Sequence, residues 1–207
     1  MKIGIYGGTF NPPHLGHTQL AASICKTGIV DEIWLMVSPL NPLKREQQSH
    51  ILPLDRRLRM AQLATQDIPC LRVSDFEAHL SLPSYTVRTL AALGEAYPQH
   101  QFSLIVGGDN WERFERWYQA ETIRSTYDII VYDRYAAPPA VHLHHPDGSS
   151  QTFTSLPDGT PFLLYPVSST QIRRAIREGD TDFLRQWLHP NVLRYIEEEK
   201  VYQAMRE

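Results

Sequence analysis

Two histidines near the start of the chain have the spacing and surroundings of an anion-binding site. His14 and His17 stand three residues apart within residues 7–17, which read GGTFNPPHLGH. If a helix begins near His14, both imidazoles project from one side of its first turn. A helix N-terminus offers free backbone N–H groups and the positive end of a dipole, and imidazole donors beside it suit a polyphosphate. The segment therefore predicts a phosphate-binding site.

A strand before this segment and a helix after it would hold it in place. The apolar run Ile3–Tyr6 is typical of a short buried strand, and apolar residues between Leu20 and Ile24 share one helix face. Gly7 and Gly8 allow the backbone to approach a ligand closely. The segment is neither a GxGxxG fingerprint nor a P-loop, which excludes dehydrogenases and P-loop NTPases. Zinc binding stays open as an alternative, although no third ligand with suitable spacing lies nearby.

A second candidate anion site lies at residues 168–173, which read SSTQIR. Ser168, followed three residues later by Gln171, forms a capping-box pattern, and an ordinary well-capped helix is one interpretation. The hydroxyls and backbone amides at such an N-terminus, with Arg173 one turn on, also make a phosphate clamp. The presence of the first segment favours the clamp.

Glycines and an acidic residue follow the apolar strand Phe102–Val106. In an open α/β sheet, ligands bind at the carboxyl ends of strands near the topological switch point. With a strand order 3-2-1-4-5, the first and fourth strands are neighbours there. We therefore expect Gly107 and Gly108 to admit an adenosine and Asp109 to accept hydrogen bonds from ribose hydroxyls. Asp109 as the N-cap of a helix is the structural alternative.

Together these segments resemble the nucleotidyltransferase superfamily, whose (H/T)-x-G-H signature follows the first strand. More specifically, residues 7–17 are similar to those of bacterial nicotinate-nucleotide adenylyltransferases, which typically read GGTFDPPHxGH. This chain has Asn11 where aspartate is usual. Asparagine keeps an acceptor for capping a helix but lacks the negative charge, so we expect a small effect on phosphate or metal affinity. The matches span residues 7–173.

The resemblance implies a role for each matching residue. Catalysis is assigned to His14, His17, Lys44 and Arg173. ATP binding is assigned to Gly7, Gly8, Thr9, Phe10, Gly107, Asp109, Ser169 and Thr170. Mononucleotide binding is assigned to Asn41, Ser84, Tyr85, Thr86, Trp117, Tyr118 and Arg134. By resemblance, Trp117 stacks on the nicotinate ring and Arg134 contacts the mononucleotide phosphate.

Several of these residues also have simpler structural interpretations. A lysine such as Lys44 is usually solvated, Ser84 is typical of a helix cap, and the aromatic pair at 117–118 is typical of a core or a surface. The arginines of residues 56–59 predict a solvated helix face.

The implied reaction transfers the adenylyl group of ATP to nicotinate mononucleotide, giving nicotinic acid adenine dinucleotide and pyrophosphate, in NAD biosynthesis. No activated Ser, Cys or Lys nucleophile is apparent, and none is needed, because the 5′-phosphate of the mononucleotide attacks the α-phosphorus of ATP in line. Catalysis then consists of holding the reactants together and neutralising phosphate charge. Mg²⁺ is expected to accompany ATP, held mainly by phosphate oxygens and water, so no protein metal site is predicted.

The pattern of elements predicts one α/β domain over residues 1–207, with a doubly wound, Rossmann-like parallel sheet and a C-terminal helical portion over 168–207. Residues 135–160 contain three turn signals and predict a long surface excursion, in which three histidines are more typical of solvated side chains than of a metal site. The predicted strands are 2–6, 32–38, 71–75, 101–107, 127–133 and 161–167. The predicted helices are 15–26, 55–66, 85–97, 110–118, 169–178 and 181–204, the last broken at Pro190.

Composition narrows the classes of partner. The net charge of −3 over 207 residues gives no support for nucleic-acid binding, and the longest apolar run, Ile33–Val37, is too short to span a bilayer. Lys2 leads directly into the first strand, so no signal peptide is expected. The two cysteines have no metal-type spacing and predict no disulfide framework. A reduced, cytoplasmic setting is expected, while the oligomeric state stays open.

Three other functions share some of these features. Other nucleotidyltransferases of the same fold act on FMN, phosphopantetheine or a phosphoalcohol, but they do not require the 84–86, Trp117 and Arg134 set together. A nucleotide-binding regulatory protein would not need both His14 and His17. A fragment of an aminoacyl-tRNA synthetase would share the HxGH motif, but this chain is short, acidic and without a KMSKS-like loop.

Overall fold

In the computed structural model, which describes residues 1–39, 51–133, 139–163 and 165–202, seven strands form one sheet. The strands are β1 (Lys2–Gly8), β2 (Glu32–Val37), β3 (Leu71–Ser74), β4 (Gln101–Gly107), β5 (Asp128–Asp133), β6 (Ala140–His144) and β7 (Ser150–Phe153). The helices are α1 (Leu15–Lys26), α2 (Leu54–Thr65), α3 (Thr86–Ala96), α4 (Gly108–Trp111), α5 (Ala120–Thr126), α6 (Ser169–Glu178), α7 (Thr181–Trp187) and α8 (Pro190–Glu198).

The sheet order is β3-β2-β1-β4-β5-β6-β7, and the first five of these strands are parallel. The first five strands thus have the order 3-2-1-4-5 that the expectation for Gly107 and Asp109 assumed, and the predicted doubly wound arrangement is confirmed. The order reverses between β1 and β4, so the carboxyl ends of these two strands flank the topological switch point where ligands bind in such sheets. β6 and β7 continue the sheet in antiparallel pairing.

Both faces of the parallel sheet are covered, which explains why its strands are almost continuously apolar. Consecutive residues point to opposite faces, so that Leu104 joins one buried cluster and Ile105 joins the other. α1 and α2 cover the face of Ile105, whereas α3 and α5 cover the face of Leu104. A third cluster packs α2 against α6, α7 and α8, which form the predicted C-terminal helical portion. No helix in the described part of the chain is long and apolar enough to cross a membrane.

The predicted strand over 161–167 is wrong. Its described residues form no strand, and Pro161 makes only an isolated bridge with Ser155. Phe162 and Val167 are apolar because they are buried against the sheet and against the C-terminal helices, respectively. The sheet is instead extended by the β6–β7 hairpin, within the stretch that predicted only turns.

The predicted helix over 110–118 is also wrong in its extent. The chain forms the single-turn helix α4, then a 3-10 turn at Phe114–Arg116, and then α5, which the sequence did not predict. Gln119 separates the last two elements in a left-handed conformation, with φ of 53°. The predicted break at Pro190 is confirmed, because α7 ends at Trp187 and Pro190 is the first residue of α8.

Candidate active site

The two motif histidines lie together at the start of α1. α1 begins at Leu15, as predicted, and the imidazole rings of His14 and His17 are stacked with centroids 3.7 Å apart. The backbone N–H of His14 donates to Nδ1 of His17 over 3.2 Å, so a neutral His17 carries its ring proton on Nε2. A Cβ on Gly16 would lie 3.0 Å from two atoms of the His14 ring. The glycine between the histidines therefore makes room for the buried imidazole of His14.

The glycine-rich turn before these histidines has one open and one packed position. A Cβ on Gly7 would meet nothing within 4 Å, whereas one on Gly8 would lie 2.8 Å from the ring of Phe10. The Phe10 ring is 2% exposed and packs edge-on against His17, with centroids 5.1 Å apart. The side chain of Phe10 thus packs against His17 and is buried. The buried hydroxyl of Thr9 has no hydrogen-bond partner among the described residues.

The N-terminus of α6 lies directly against this turn. The capping box is confirmed: the N–H of Gln171 donates to Oγ of Ser168 over 3.3 Å, and the N–H of Ser168 donates to Oε1 of Gln171 over 2.8 Å. The hydroxyl of Ser169 donates to the carbonyl of Pro12 over 2.8 Å. The two segments that each predicted an anion site, more than 150 residues apart in sequence, thus lie in direct contact.

Arg173 bridges the same two segments. Its Nη1 donates to the carbonyl of Asn11 over 2.8 Å, and its Nη2 donates to Oγ1 of Thr170 over 3.2 Å. Burial lowers the pKa of the guanidinium, which still carries its charge at neutral pH. Two of its five N–H donors make these contacts, so the charge and the remaining donors are available to an anion.

Asn11 does not cap a helix, so that part of the prediction is wrong. The N-cap of α1 is His14, and the Asn11 side chain is buried instead. Its Oδ1 accepts from the N–H of Leu52 over 3.3 Å and from the hydroxyl of Tyr202 over 3.1 Å. Asn11 therefore ties the motif to the start of α2 and to the end of the C-terminal helical portion.

Arg57 is not part of a solvated helix face, which corrects a second prediction. It is 1% exposed, and its guanidinium donates to backbone carbonyls that include that of Thr9. Among its neighbours, Arg56 pairs with Glu199 and Arg59 is exposed, as predicted for that face. Apolar residues follow Arg57 at positions i+3, i+4 and i+7, so the helical period itself places residue 57 on the buried face.

Side chains close to the end of β4 explain why residue 107 is a glycine. The hydroxyls of Tyr6 and Tyr132 meet over 2.9 Å although β4 separates their strands. A Cβ on Gly107 would lie 3.2 Å from the Tyr132 hydroxyl and 2.7 Å from Oδ1 of Asp109. Asp109 lies within the first turn of α4, whose N-cap is Gly107, so the N-cap alternative is wrong. Its carboxylate is exposed beside the switch point.

Two of the residues assigned to the mononucleotide, Tyr85 and Tyr118, form an aromatic edge at the start of α3. The rings of Tyr85 and Tyr118 are 4.5 Å apart, and the Arg88 guanidinium lies 5.3 and 5.6 Å from their centroids. Tyr85 is the N-cap of α3, so the predicted capping by Ser84 is wrong. The buried Oγ of Ser84 and Nε1 of Trp117 have no hydrogen-bond partner among the described residues. Thr86 begins the helix, so its N–H is one of the free amides.

A buried carboxylate that the sequence did not predict joins this region to β2. Glu77 is 7% exposed and accepts from the hydroxyls of Ser38 over 2.8 Å and Thr89 over 3.0 Å. Burial raises the pKa of Glu77, and the two hydroxyls offset part of that rise. Glu77 follows β3 in an otherwise ordinary polar stretch, so no local pattern marks it.

The remaining predicted residues are Asn41, Lys44 and Arg134, which lie outside the described residues. The histidines of the β6 region are engaged separately. His142 contacts Thr152, His144 stacks on Trp111, and His145 contacts Asp128. Across the described ranges, no group of three or more His, Cys, Asp or Glu side chains is placed to hold a metal ion.

This chain is similar in sequence to known proteins over most of its length. The profile of the cytidylyltransferase-like family matches residues 5–175. The probable nicotinate-nucleotide adenylyltransferase of Bacteroides thetaiotaomicron is 44% identical over 198 residues, which cover 96% of this chain and 92% of the relative. That of Flavobacterium johnsoniae is 39% identical over 202 residues and covers 98% and 99% of the two chains.

Solved structures share the fold. The nicotinic acid mononucleotide adenylyltransferase of Plasmodium falciparum, solved in complex with NaAD, superposes with a TM-score of 0.72 at 20% identity. The alignment covers 98% of this chain and 97% of that protein. At this identity the similarity is evidence for the common architecture of sheet and helices.

Proposed function

Because this chain belongs to the cytidylyltransferase-like family and, within it, to the nicotinate-nucleotide adenylyltransferases, we propose that the residues at its switch point transfer the adenylyl group of ATP to nicotinate mononucleotide. This transfer is a step of NAD biosynthesis. The observation that carries the proposal is the contact between the β1–α1 turn and α6. Ser169 donates to Pro12 and Arg173 donates to Asn11, so the N-termini of α1 and α6 lie together, and we assign one anion site to both.

ATP is proposed to place its phosphates between these helices. Backbone amides after Gly7, the hydroxyls of Ser169 and Thr170 and the charge of Arg173 surround the expected position. Nδ1 of His17 accepts from the His14 backbone, so a neutral His17 has its N–H at Nε2, and we assign this N–H to a phosphate oxygen. Asp109, exposed at the end of β4, is placed to accept from the ribose hydroxyls.

Nicotinate mononucleotide is proposed to bind at the aromatic edge. The unpartnered Oγ of Ser84, the indole of Trp117 and the start of α3 supply polar groups and a positive dipole end for a carboxylated pyridine ring. Tyr85 and Tyr118 complete the aromatic wall. Asn41, Lys44 and Arg134 are proposed to contact the phosphates.

Transfer needs no group from the protein as nucleophile. The 5′-phosphate oxygen of the mononucleotide forms a bond to the α-phosphorus of ATP as the bond to the pyrophosphate oxygen breaks, and pyrophosphate leaves with its electrons. His17 and Arg173 neutralise charge that grows on the departing phosphates, while His14, with Lys44, holds the reactants in line. Mg²⁺ enters as part of the MgATP substrate, with phosphate oxygens and water as its main ligands.

The partners follow from this chemistry. We propose ATP and nicotinate mononucleotide as the substrates, no nucleic acid, and a cytoplasmic setting, in keeping with the free thiols of Cys25 and Cys70. Pyrophosphate release measured with ATP and a panel of nicotinate mononucleotide, nicotinamide mononucleotide, FMN and phosphopantetheine tests the proposal. Release with nicotinate mononucleotide supports it. Release with another acceptor alone, or none with any, refutes it.

A further inference from the structure

Arg57 is the one arginine or lysine that is buried among the residues that the structure describes. A guanidinium removed from water needs other partners for its donors, and a carboxylate is the usual one. Within the described part of the chain, Arg57 has no carboxylate within ion-pair distance. Its partners are backbone carbonyls, and the segments to which they belong indicate what the residue does.

Four carbonyls accept from the guanidinium. Nε donates to Leu52 over 2.8 Å, and Nη1 donates to both Thr9 over 2.9 Å and Ser38 over 2.8 Å. Nη2 lies 3.4 Å from the carbonyl of Pro39, a longer contact. Only a planar group with five N–H donors reaches carbonyls in three directions, and a lysine ammonium at the same depth does not.

Three of these carbonyls, those of Thr9, Ser38 and Pro39, lie where β1 and β2 leave the sheet. The ladder between the two strands ends with the N–H of Ser38 donating to the carbonyl of Gly8 over 3.0 Å. Beyond that bond the first segment turns toward His14, and the second continues to Pro39. Arg57 bonds to the carbonyl of Thr9 in one segment and of Ser38 in the other. Its hydrogen bonds therefore connect the two segments just beyond the last backbone hydrogen bond between β1 and β2.

The other side of the same turn is held independently. Arg173 donates to the carbonyl of Asn11, and Ser169 donates to that of Pro12. Side chains thus hold the turn between β1 and α1 at three of its carbonyls, those of Thr9, Asn11 and Pro12. Two arginines are among the donors, and their charges add to the positive dipole end of α1 rather than neutralising it.

We infer that Arg57 is a positioning residue for adenylyl transfer: by holding the carbonyls of Thr9 and Ser38, it fixes the backbone that presents His14 and His17 to the phosphates of ATP. The inference rests on the proposed function. Arg57 is 1% exposed and its donors are bonded to carbonyls, so we expect it to act on turnover through the histidines and not by contact with substrate. Displacement of such groups by about 1 Å costs on the order of 10²-fold in rate.

The experiment compares Arg57→Met, Arg57→Lys and Arg57→Ala with two controls in α2. Arg59→Met removes an exposed arginine, and Met60→Ala removes a buried side chain that packs on the C-terminal helices instead of on the turn. Thermal unfolding ranks the variants by stability, and kcat and KM are measured for ATP and for nicotinate mononucleotide separately. Guanidinium chloride at millimolar concentration, far below denaturing levels, is added to Arg57→Ala.

The expected result is a fall of about 10- to 100-fold in kcat/KM for ATP in Arg57→Met, with a smaller change in KM for the mononucleotide. Arg57→Lys, which keeps the charge without the fork, should lose nearly as much. Added guanidinium should restore part of the turnover of Arg57→Ala, and Arg59→Met should match the wild type. Met60→Ala should lose stability and keep its turnover.

Three outcomes would overturn the inference. Arg57→Met with wild-type kcat/KM shows that the contacts do not matter for the reaction. Equal loss of turnover in Met60→Ala at the same unfolding temperature shows a general effect of stability. Absence of rescue by guanidinium in a folded Arg57→Ala shows that the carbonyl contacts are not what is missing. A wild-type chain that releases no pyrophosphate removes the proposed function first, and so separates the two failures.

Discussion

The glycine between the motif histidines should be required for turnover more than for folding. A Cβ added in Gly16→Ala would lie 3.0 Å from Nδ1 and from Cε1 of His14, and 3.1 Å from Cγ1 of Val167. Ordinary contacts of a Cβ begin at 3.4 Å, so these atoms must retreat by a few tenths of an ångström. The His14 ring is buried and stacked on His17, so its retreat also displaces the second imidazole.

Two opposing terms set the stability of Gly16→Ala. Overpacking costs roughly 1–3 kcal/mol, and replacing a helical glycine by alanine returns about 0.5–1 kcal/mol. The net destabilisation is therefore small, of the order of 1 kcal/mol, and the protein should stay folded. The turnover should fall further, by about 10- to 100-fold in kcat/KM for ATP, because the reaction depends on the position of the imidazoles.

Gly94→Ala is the matched control. Gly94 lies in α3, and a Cβ there would meet nothing within 4 Å. This variant should be more stable by about 0.5–1 kcal/mol and fully active. Pyrophosphate release and thermal unfolding are measured for both variants. Wild-type turnover in Gly16→Ala would refute the assignment of the histidines to the reaction. A fall in turnover that the smaller folded fraction of Gly16→Ala explains in full would refute it as well.

Four further changes test other parts of the structure. His17→Ala should lose about 10²–10³-fold in kcat while keeping its unfolding temperature, and near-normal turnover would contradict its role at the phosphates. Ser168→Ala should lower the free energy of unfolding by about 1 kcal/mol through loss of the cap, which denaturant titration measures. Burial raises the pKa of Glu77, so in the folded protein this carboxyl keeps its proton at pH values above its ordinary pKa of 4.5. The free energy of unfolding, measured relative to Glu77→Gln, should therefore fall as the pH rises from below 4.5 toward neutrality, and a difference that does not depend on pH would disprove this. Nicotinate mononucleotide should be preferred over the nicotinamide form by up to roughly thirtyfold in kcat/KM, because the positive dipole end of α3 attracts the carboxylate. Trp117→Ala should weaken the use of both substrates alike, because the indole stacks on either cationic ring. Equal kcat/KM for the two substrates would refute the preference.

Local patterns predicted much of the site because each depends on hydrogen bonds within a few residues. The capping box at Ser168 and Gln171 is an example, since both partners lie in the same turn of backbone. The start of α1 near His14 is another. The strand order was predictable as well, because strands alternating with helices restrict a parallel sheet to a few arrangements.

Apolar segments show where this reasoning stops. Residues 161–167 have the composition of a strand, but a run of apolar residues states only that it is buried, and here Phe162 and Val167 are buried by different clusters. The hairpin that extends the sheet instead contains His142, His144 and polar turn residues. Its pairing depends on the free edge of β5, which is a property of the assembled sheet.

By itself, the sequence determined the parallel α/β architecture, the starts of the helices α1 and α6 and the glycine between the histidines, because these follow from spacing along the chain. Only the tertiary structure decided that the two helix starts lie against each other, that Arg57 is buried with carbonyls as its partners, and that Asn11 bonds to Tyr202 at the other end of the chain. Each of these joins groups far apart in sequence, and a side chain's partners across such a distance are set by how the helices pack on the sheet.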